Sequence, residues 1–248
     1  MYQNKKVLVT GNTGFKGSWL TAWLIELGAE VYGISVGIPT RPSHFETAKL
    51  DKQINHFEIN ICNLEQVKKI IDEIRPDFVF HLAAQSLVRL SYSDPLGTYH
   101  TNVLGTLNLL EALRFLEKQC ASVLITSDKC YKNVEWLWGY RETDELGGTD
   151  PYSASKGAAE LIIRSHLQSF YSKNCQVRVA IGRAGNVIGG GDWAEERIVP
   201  DCVRAWAKGD SVKIRNPQAT RPWQHVLEPL RGYLVLAAEL AKRDELHG

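Results

Sequence analysis

The tightest constraint on this chain lies near its start. An apolar, β-branched run, KVLVT at Lys6–Thr10, leads into glycines at 11, 14 and 17, then into an amphipathic segment over 18–27 that Gly28 closes. This is strand, glycine turn, helix. Such a helix leaves free N–H groups and its positive dipole end facing the turn, and the glycines let the backbone approach a pyrophosphate. Chance supplies only about 0.13 copies of G-x-x-G-x-x-G in a chain of this composition. A strand feeding a helix in this way returns to pair in parallel, so the remaining chain is expected to alternate the two around one sheet.

The alternation is present. Further strands are expected at 30–36, 78–83, 120–127 and Val177–Gly182, and further helices at Leu64–Ile74, 99–118 and 152–171. The stripe Leu64, Val67, Ile70, Ile71, Ile74 has helical spacing and stops at Arg75-Pro76. The fold class is therefore α/β with a doubly wound parallel sheet. Beyond residue 183 the pattern loosens into a glycine-rich loop (186–193), a helix at 198–208, a short strand at 212–215 and a helix at 228–242. This reads as a dinucleotide-binding domain over 1–183 with a smaller module over 184–248.

Charge excludes whole classes of partner. Lys plus Arg total 29 and Asp plus Glu 28, so there is no global field for nucleic acid or an anionic membrane, and an anionic ligand must be caught locally. The five cysteines are scattered, form no C-x-x-C and suggest a reducing compartment. No run approaches the ~18 apolar residues of a membrane span, and the polar N-terminus enters a strand directly, which points to the cytoplasm. No His or carboxylate cluster has ligand spacing, so no metal is expected.

The chemistry is expected between 126 and 156. Tyr152 and Lys156 stand four apart on a helix that Pro151 opens, so both occupy one face and the ammonium favours the ionised phenol. The pair alone is weak, since Y-x-x-x-K arises by chance about 0.5 times here; Tyr2 and Lys6 form another. Its company strengthens it, because Ser127 and Asp128 end the 120–127 strand. Trp136, Trp138 and Tyr140 either line a sugar site or simply pack together. At the end of the second strand Ser35 stands where a ribose contact is usual, and with Arg41 nearby the position leaves NAD against NADP open.

With the glycine turn, HLAA at 81–84, Asn102, Ser127-Asp128 and Tyr152-x-x-x-Lys156 in this order, the chain resembles the extended short-chain dehydrogenase/reductase family. GFKGSW (14–19), SDKCY (127–131), DPYSASK (150–156), RAGNVIGGGDW (183–193) and RPWQHVLEPL (221–230) place the resemblance in the branch acting on CDP-glucose. It implies a Rossmann-type sheet, tightly held NAD and a homodimer formed through the helices at 99–118 and 152–171. The implied reaction is oxidation at C4 of the sugar, loss of water across C5 and C6, and hydride return to C6, in deoxysugar synthesis for lipopolysaccharide O-antigen. Tyr152 would take the 4-hydroxyl proton, with Lys156 and Ser127 assisting, and Asp128 would protonate the departing O6. Where relatives acting on dTDP-glucose carry Asp-Glu, this chain has Asp128-Lys129. Lys129 is then either the C5 base or a lysine that only positions Asp128.

The resemblance further implies cofactor contacts from Gly11, Thr13, Gly14, Phe15, Lys16, Gly17, Ser35, Asn60, Ile61, Leu82, Ala83, Ala84, Gln85 and Asn102, besides Tyr152 and Lys156. It implies substrate contacts from Ser86, Asn186 and Arg221. It also implies that the substrate module is incomplete and continues past Gly248. A nucleotide-sugar 4-epimerase, or a non-catalytic dinucleotide-binding protein, remains an alternative on the same scaffold.

Overall fold

The structure is a computed structural model and describes residues 1–171, 175–214 and 216–247. Its centre is a sheet of β1 (Lys6–Thr10), β2 (Glu30–Ser35), β3 (Asn55–Glu58), β4 (Phe78–His81), β5 (Cys120–Ile125) and β6 (Val177–Gly182), ordered β3-β2-β1-β4-β5-β6 and parallel throughout. The order reverses between β1 and β4, and the crevice beyond the strand ends at such a reversal is where doubly wound sheets take ligands.

Side chains on the central strands alternate between two cores. Leu8, Val79 and Leu124 face one way, against α3 (Leu64–Ile74), α6 (Gly105–Leu113) and α7 (Pro151–Phe170). Val7, Val9, Phe80 and Val123 face the other, against α1 (Phe15–Glu26) and α9 (Leu227–Leu240). The expected stripe on α3 is buried at Val67, Ile70, Ile71 and Ile74. Asn63 caps the helix by accepting from the Gln66 amide at 3.1 Å, and Arg75 ends it in the left-handed region. α7 begins with Pro151 in its first turn and Asp150 accepting from the Ser153 amide at 2.9 Å.

Several elements differ from expectation. β3, with its polar sequence NHFE, carried no apolar pattern and was not anticipated. The loop before Pro95 contains a short helix, α4 (Val88–Ser93). The helix expected over 99–118 starts earlier as α5 (Pro95–Tyr99), because Asp94 caps the Gly97 amide at 2.9 Å, and reaches α6 through a π-helical turn, His100–Leu104. No strand forms over 212–214, and Arg215 lies outside the described residues.

Past β6 the chain makes α8 (Ile198–Ala207) and a separate two-stranded sheet, β7 (Asn186–Ile188) with β8 (Trp223–His225). The helix that the sequence placed in the smaller module, α9, returns to the main sheet, burying Leu230, Leu234, Ala237 and Leu240. The Tyr2 hydroxyl donates to the Leu234 carbonyl at 2.6 Å, tying the N-terminus to it.

The strand ends beside the crevice are joined by a buried ion pair. Glu160 on α7 is fully buried, accepts from the Thr126 hydroxyl at 2.7 Å and from Arg183 Nε at 2.7 Å, and also meets Arg183 Nη2. Arg183 Nη1 donates to the Tyr131 hydroxyl at 2.7 Å, and the guanidinium lies over that ring. Removing one member strands the other charge in the interior. Arg183→Met is expected to lower unfolding free energy by roughly 3–5 kcal/mol, read from the urea midpoint at unchanged m-value.

Candidate functional site

Above the ends of β1, β4 and β5 opens a cavity of 650 Å³. Phe15, Lys16, Ser86, Ser127, Asp128, Lys129, Tyr152, Asn186 and Arg221 all line it, so residues spread over two hundred positions meet in one place. Trp136, Trp138 and Tyr140 do not. Tyr140, half-buried, stacks on Tyr131 at 5.2 Å and Trp136 leans on Tyr140, while Trp136 and Trp138 are exposed.

The glycine turn adjoins the cavity through Phe15 and Lys16. Gly11 has φ +71°, and a Cβ there would lie 2.8 Å from the Ala83 backbone; a Cβ on Gly17 would lie 2.0 Å from the Gly11 carbonyl oxygen. The turn is thus pressed between the segment after β4 and α1 with no room for a side chain at Gly11 or Gly17. Gly14 begins α1 with no side-chain cap and no acidic residue in the first turn, so the helix offers its N–H groups and positive end to an incoming anion. This open, acid-free helix start behind a turn with glycines at 11, 14 and 17 fits the diphosphate of a dinucleotide.

The other expected cofactor residues divide by what occupies their polar atoms. Thr13 Oγ1 donates to the Gly37 carbonyl at 2.8 Å and shares a hydrogen bond with Ser35 Oγ at 3.0 Å, which ties the turn to the end of β2. Asn102 is almost fully buried. It accepts from the Gln85 amide at 2.8 Å and donates to the Gln85 carbonyl at 3.0 Å and Ser155 Oγ at 2.9 Å, so it clamps the segment after β4 to α7. The Ala83 amide donates to Thr10 Oγ1 at 3.1 Å, while Leu82 packs into the core and Ala84 lies between these anchors. Asn60 accepts from the Cys62 amide at 2.9 Å, and Ile61 is a core residue against Gly105.

At the reacting end Tyr152 and Lys156 are both buried, with the Tyr152 amide donating to Ser91 Oγ at 3.1 Å. Ser127 Oγ donates to Asp128 Oδ1 at 2.9 Å and accepts from the Lys129 amide at 3.2 Å. Burial pushes the Tyr152 phenol up to about 12, against the nearby Ser127 hydroxyl and the charge of Arg197, both of which favour phenolate. Burial therefore outweighs the help expected from Lys156. Lys156 itself falls to about 8, through burial first and the nearby Lys16 cation second. Lys16 also falls to about 8, through burial and Arg197, with Asp128 opposing.

Sequence reasoning missed Arg197. It precedes α8, lines the cavity, pairs with Asp192 at 3.1 Å and donates to Ser86 Oγ at 3.1 Å. No local pattern marks it, since its role comes from a loop folded back over Ser86. Arg221, expected on the substrate side, is exposed and donates to the Thr220 carbonyl at 2.6 Å, while the Asn186 amide donates to Pro222. Among the described residues no group of three or more His, Cys, Asp or Glu could hold a metal.

This geometry has two measurable outcomes. Gly14→Val places a branched side chain at the mouth of the turn and should weaken dinucleotide binding at least ~100-fold, about 2.7 kcal/mol, read by tryptophan fluorescence titration. Lys156→Met should raise stability by roughly 3 kcal/mol below pH 8, where both folded and unfolded wild type hold the proton and the buried charge costs most. The advantage fades as pH rises from about 8 to the ordinary lysine value, because the folded protein loses the proton first; thermal melts across that window read it.

The sequence profile of the family described as GDP-mannose 4,6 dehydratase matches residues 8–245. The chain is 51% identical over 243 residues to the CDP-glucose 4,6-dehydratase of Salmonella typhimurium, covering 96% of this chain and 68% of that protein. It is 32% identical to the GDP-mannose 4,6-dehydratase of Yersinia enterocolitica over 69% of this chain, and spans about half (48%) of that relative's length. A solved dTDP-glucose 4,6-dehydratase from Streptomyces venezuelae with NAD bound shares the fold at TM-score 0.81 and 24% identity, over 94% of this chain and 72% of that one. Because the profile match runs from β1 through the far wall of the cavity to α9, the chain belongs to the nucleotide-sugar 4,6-dehydratase family, within the extended short-chain dehydrogenases/reductases.

Proposed function

We propose that this chain carries out NAD-dependent 4,6-dehydration of CDP-glucose, giving CDP-4-keto-6-deoxyglucose. The observation that carries the reading is the hydrogen bond from Ser127 to Asp128 beside Tyr152, which sets an oxidation base and an elimination acid on one wall of one cavity. The glycine turn and the open start of α1 would hold NAD, which would supply reversible hydride transfer. Tyr152 Oη takes the proton from the sugar 4-hydroxyl, and Ser127 Oγ holds that oxygen in place. Lys156, on the same face of α7, keeps positive charge near the phenol. Asp128 gives a proton to O6 as it leaves as water. Lys129, also in the cavity wall, either takes the C5 proton or positions Asp128.

CDP-glucose is favoured over other nucleotide sugars by the lysine that follows Asp128 and by the similarity to the Salmonella enzyme. The glycine turn and the strand ends before residue 183 hold the dinucleotide, and the segments of 184–248 outside α9 build the nucleotide-sugar side with Asn186 and with Arg197 and Arg221, two cations that suit a diphosphate. A 4-epimerase would use the Ser, Tyr and Lys set but has no need of an acid at C6, so Asp128 favours dehydration. The product feeds deoxysugars of O-antigen type in the cytoplasm; no helix among the described residues is long and apolar enough to cross a membrane. A homodimer through α6 and α7 is supported by the exposed Phe115, Leu161 and Phe170.

The order of events separates the roles. Tyr152→Phe should abolish both transient NADH absorbance and 4-keto product with CDP-glucose. Asp128→Asn should still form NADH while loss of water slows by roughly 100-fold, seen by stopped-flow absorbance. Equal loss of the NADH signal in both variants would remove Asp128 as the elimination acid.

A further inference from the structure

The end of β2 is where a dinucleotide-binding fold meets the adenosine ribose, and a carboxylate there holds the 2′-hydroxyl while repelling a 2′-phosphate. This chain has no carboxylate at that place. Residues 35–45, SVGIPTRPSHF, contain neither Asp nor Glu. The next carboxylate along the loop, Glu46, is already engaged, accepting from the Ser43 hydroxyl at 3.0 Å and pairing with Arg41 at 3.4 Å. Ser35 offers only a buried hydroxyl, which shares a hydrogen bond with Thr13 Oγ1 at 3.0 Å.

The loop after β2 is held at both ends against the glycine turn and α1. Thr13 Oγ1 donates to the Gly37 carbonyl at 2.8 Å, while His44 Nδ1 meets Ser18 Oγ at 3.1 Å and its ring stacks on Trp19. Between these tethers lie both space and charge. Gly37 is exposed, and a Cβ built on it meets nothing within 4 Å. Arg41 supplies the loop's cation, and its pair with Glu46 lies at the surface, where such a pair contributes little and is readily exchanged for a stronger partner. A phosphate is a stronger partner, because it meets a guanidinium in paired hydrogen bonds.

We propose that the dinucleotide site of this chain admits the 2′-phosphorylated dinucleotide, NADP, alongside NAD, with the space at Gly37 taking the 2′-phosphate and Arg41 pairing with it. The carboxylate that could oppose this is Glu58, in register with Ser35 on β3. It is exposed and one strand farther from the glycine turn, about 4.8 Å, so water and salt screen it. The proposed dehydration accommodates either form. Its hydride leaves and returns within one turnover, so no net oxidation depends on the ratio of oxidised to reduced dinucleotide around the protein. Binding itself does not rest on that reading.

The test is calorimetric titration of the 248-residue chain and its variants with NAD and with NADP. The wild type should bind NADP within ~20-fold of NAD, and Arg41→Ala should weaken NADP at least ~5-fold while leaving NAD within ~2-fold. Gly37→Asp puts a carboxylate at the end of β2, on a backbone of φ +58° that aspartate visits more readily than most residues. It should weaken NADP at least ~10-fold more than NAD, whereas Gly37→Ala, with the same backbone and no charge, should leave the ratio within ~2-fold of wild type. Discrimination against NADP beyond ~20-fold by the wild type, a Gly37→Asp variant with the ratio of Gly37→Ala, or unchanged NADP binding by Arg41→Ala would each overturn the proposal. So would a Glu58→Gln variant that binds NADP at least ~10-fold tighter, because the discrimination would then lie on β3. Binding of neither dinucleotide by the folded wild type would overturn it together with the glycine-turn site.

Discussion

The site depends on the Glu160 carboxylate. Three segments that share no local sequence, the end of β5 at Thr126, the start of the loop after β6 at Arg183, and α7, meet on it inside the protein. Ser127 follows Thr126 directly and Lys156 lies one helical turn before Glu160, so the same contact sets the height of the strand end against the helix. An apolar contact would have bound these elements equally well but would tolerate sliding. A carboxylate that must satisfy both oxygens does not, and its neighbours hold it well below the ordinary glutamate range through Arg183, Thr126 and Cys130 despite burial.

Upon this frame the cavity gathers positive charge. Lys16, Lys156 and Arg197 approach from three elements, with Asp128 among them. A protein of near-neutral overall charge thus concentrates its cations where two diphosphates are expected, and burial makes each interaction stronger than it would be in water. The cost is visible in both lysines, whose charged forms are disfavoured.

Most of the sheet was readable in advance because its central strands are buried on both faces, so they show as unbroken apolar runs. β3 was not, since an edge strand such as NHFE needs only half a buried face. α3 and α7 announced themselves by stripe or by the proline that opens the helix. The cavity's residues split along the same line. Tyr152, Lys156 and the glycine turn belong to short fixed spacings, whereas Arg197 reaches Ser86 across 111 positions of chain. Asn102 and Ile61 were placed near the cofactor by resemblance, and only the packed structure shows that one clamps the backbone after β4 and the other fills the core. The rise of Tyr152 was invisible for a similar reason, because spacing reports neighbours along a helix but not the depth at which they lie.

The π turn at His100–Leu104 bears on lineage. Such a turn is what a helix becomes when it gains one residue without altering its ends, and here Asn102 sits inside it. Deleting that residue would tidy the helix but rotate its N-terminal part by about 100° relative to its C-terminal part. Asn102 would then swing away from Gln85 and Ser155, or α6 would turn Leu109, Leu110 and Leu113 out of the core. A one-residue gap in this stretch is therefore a poor candidate for a neutral change, and insertions or deletions in descendants of this chain should fall in the exposed stretch 132–139 instead, beyond the cavity residues 127–129.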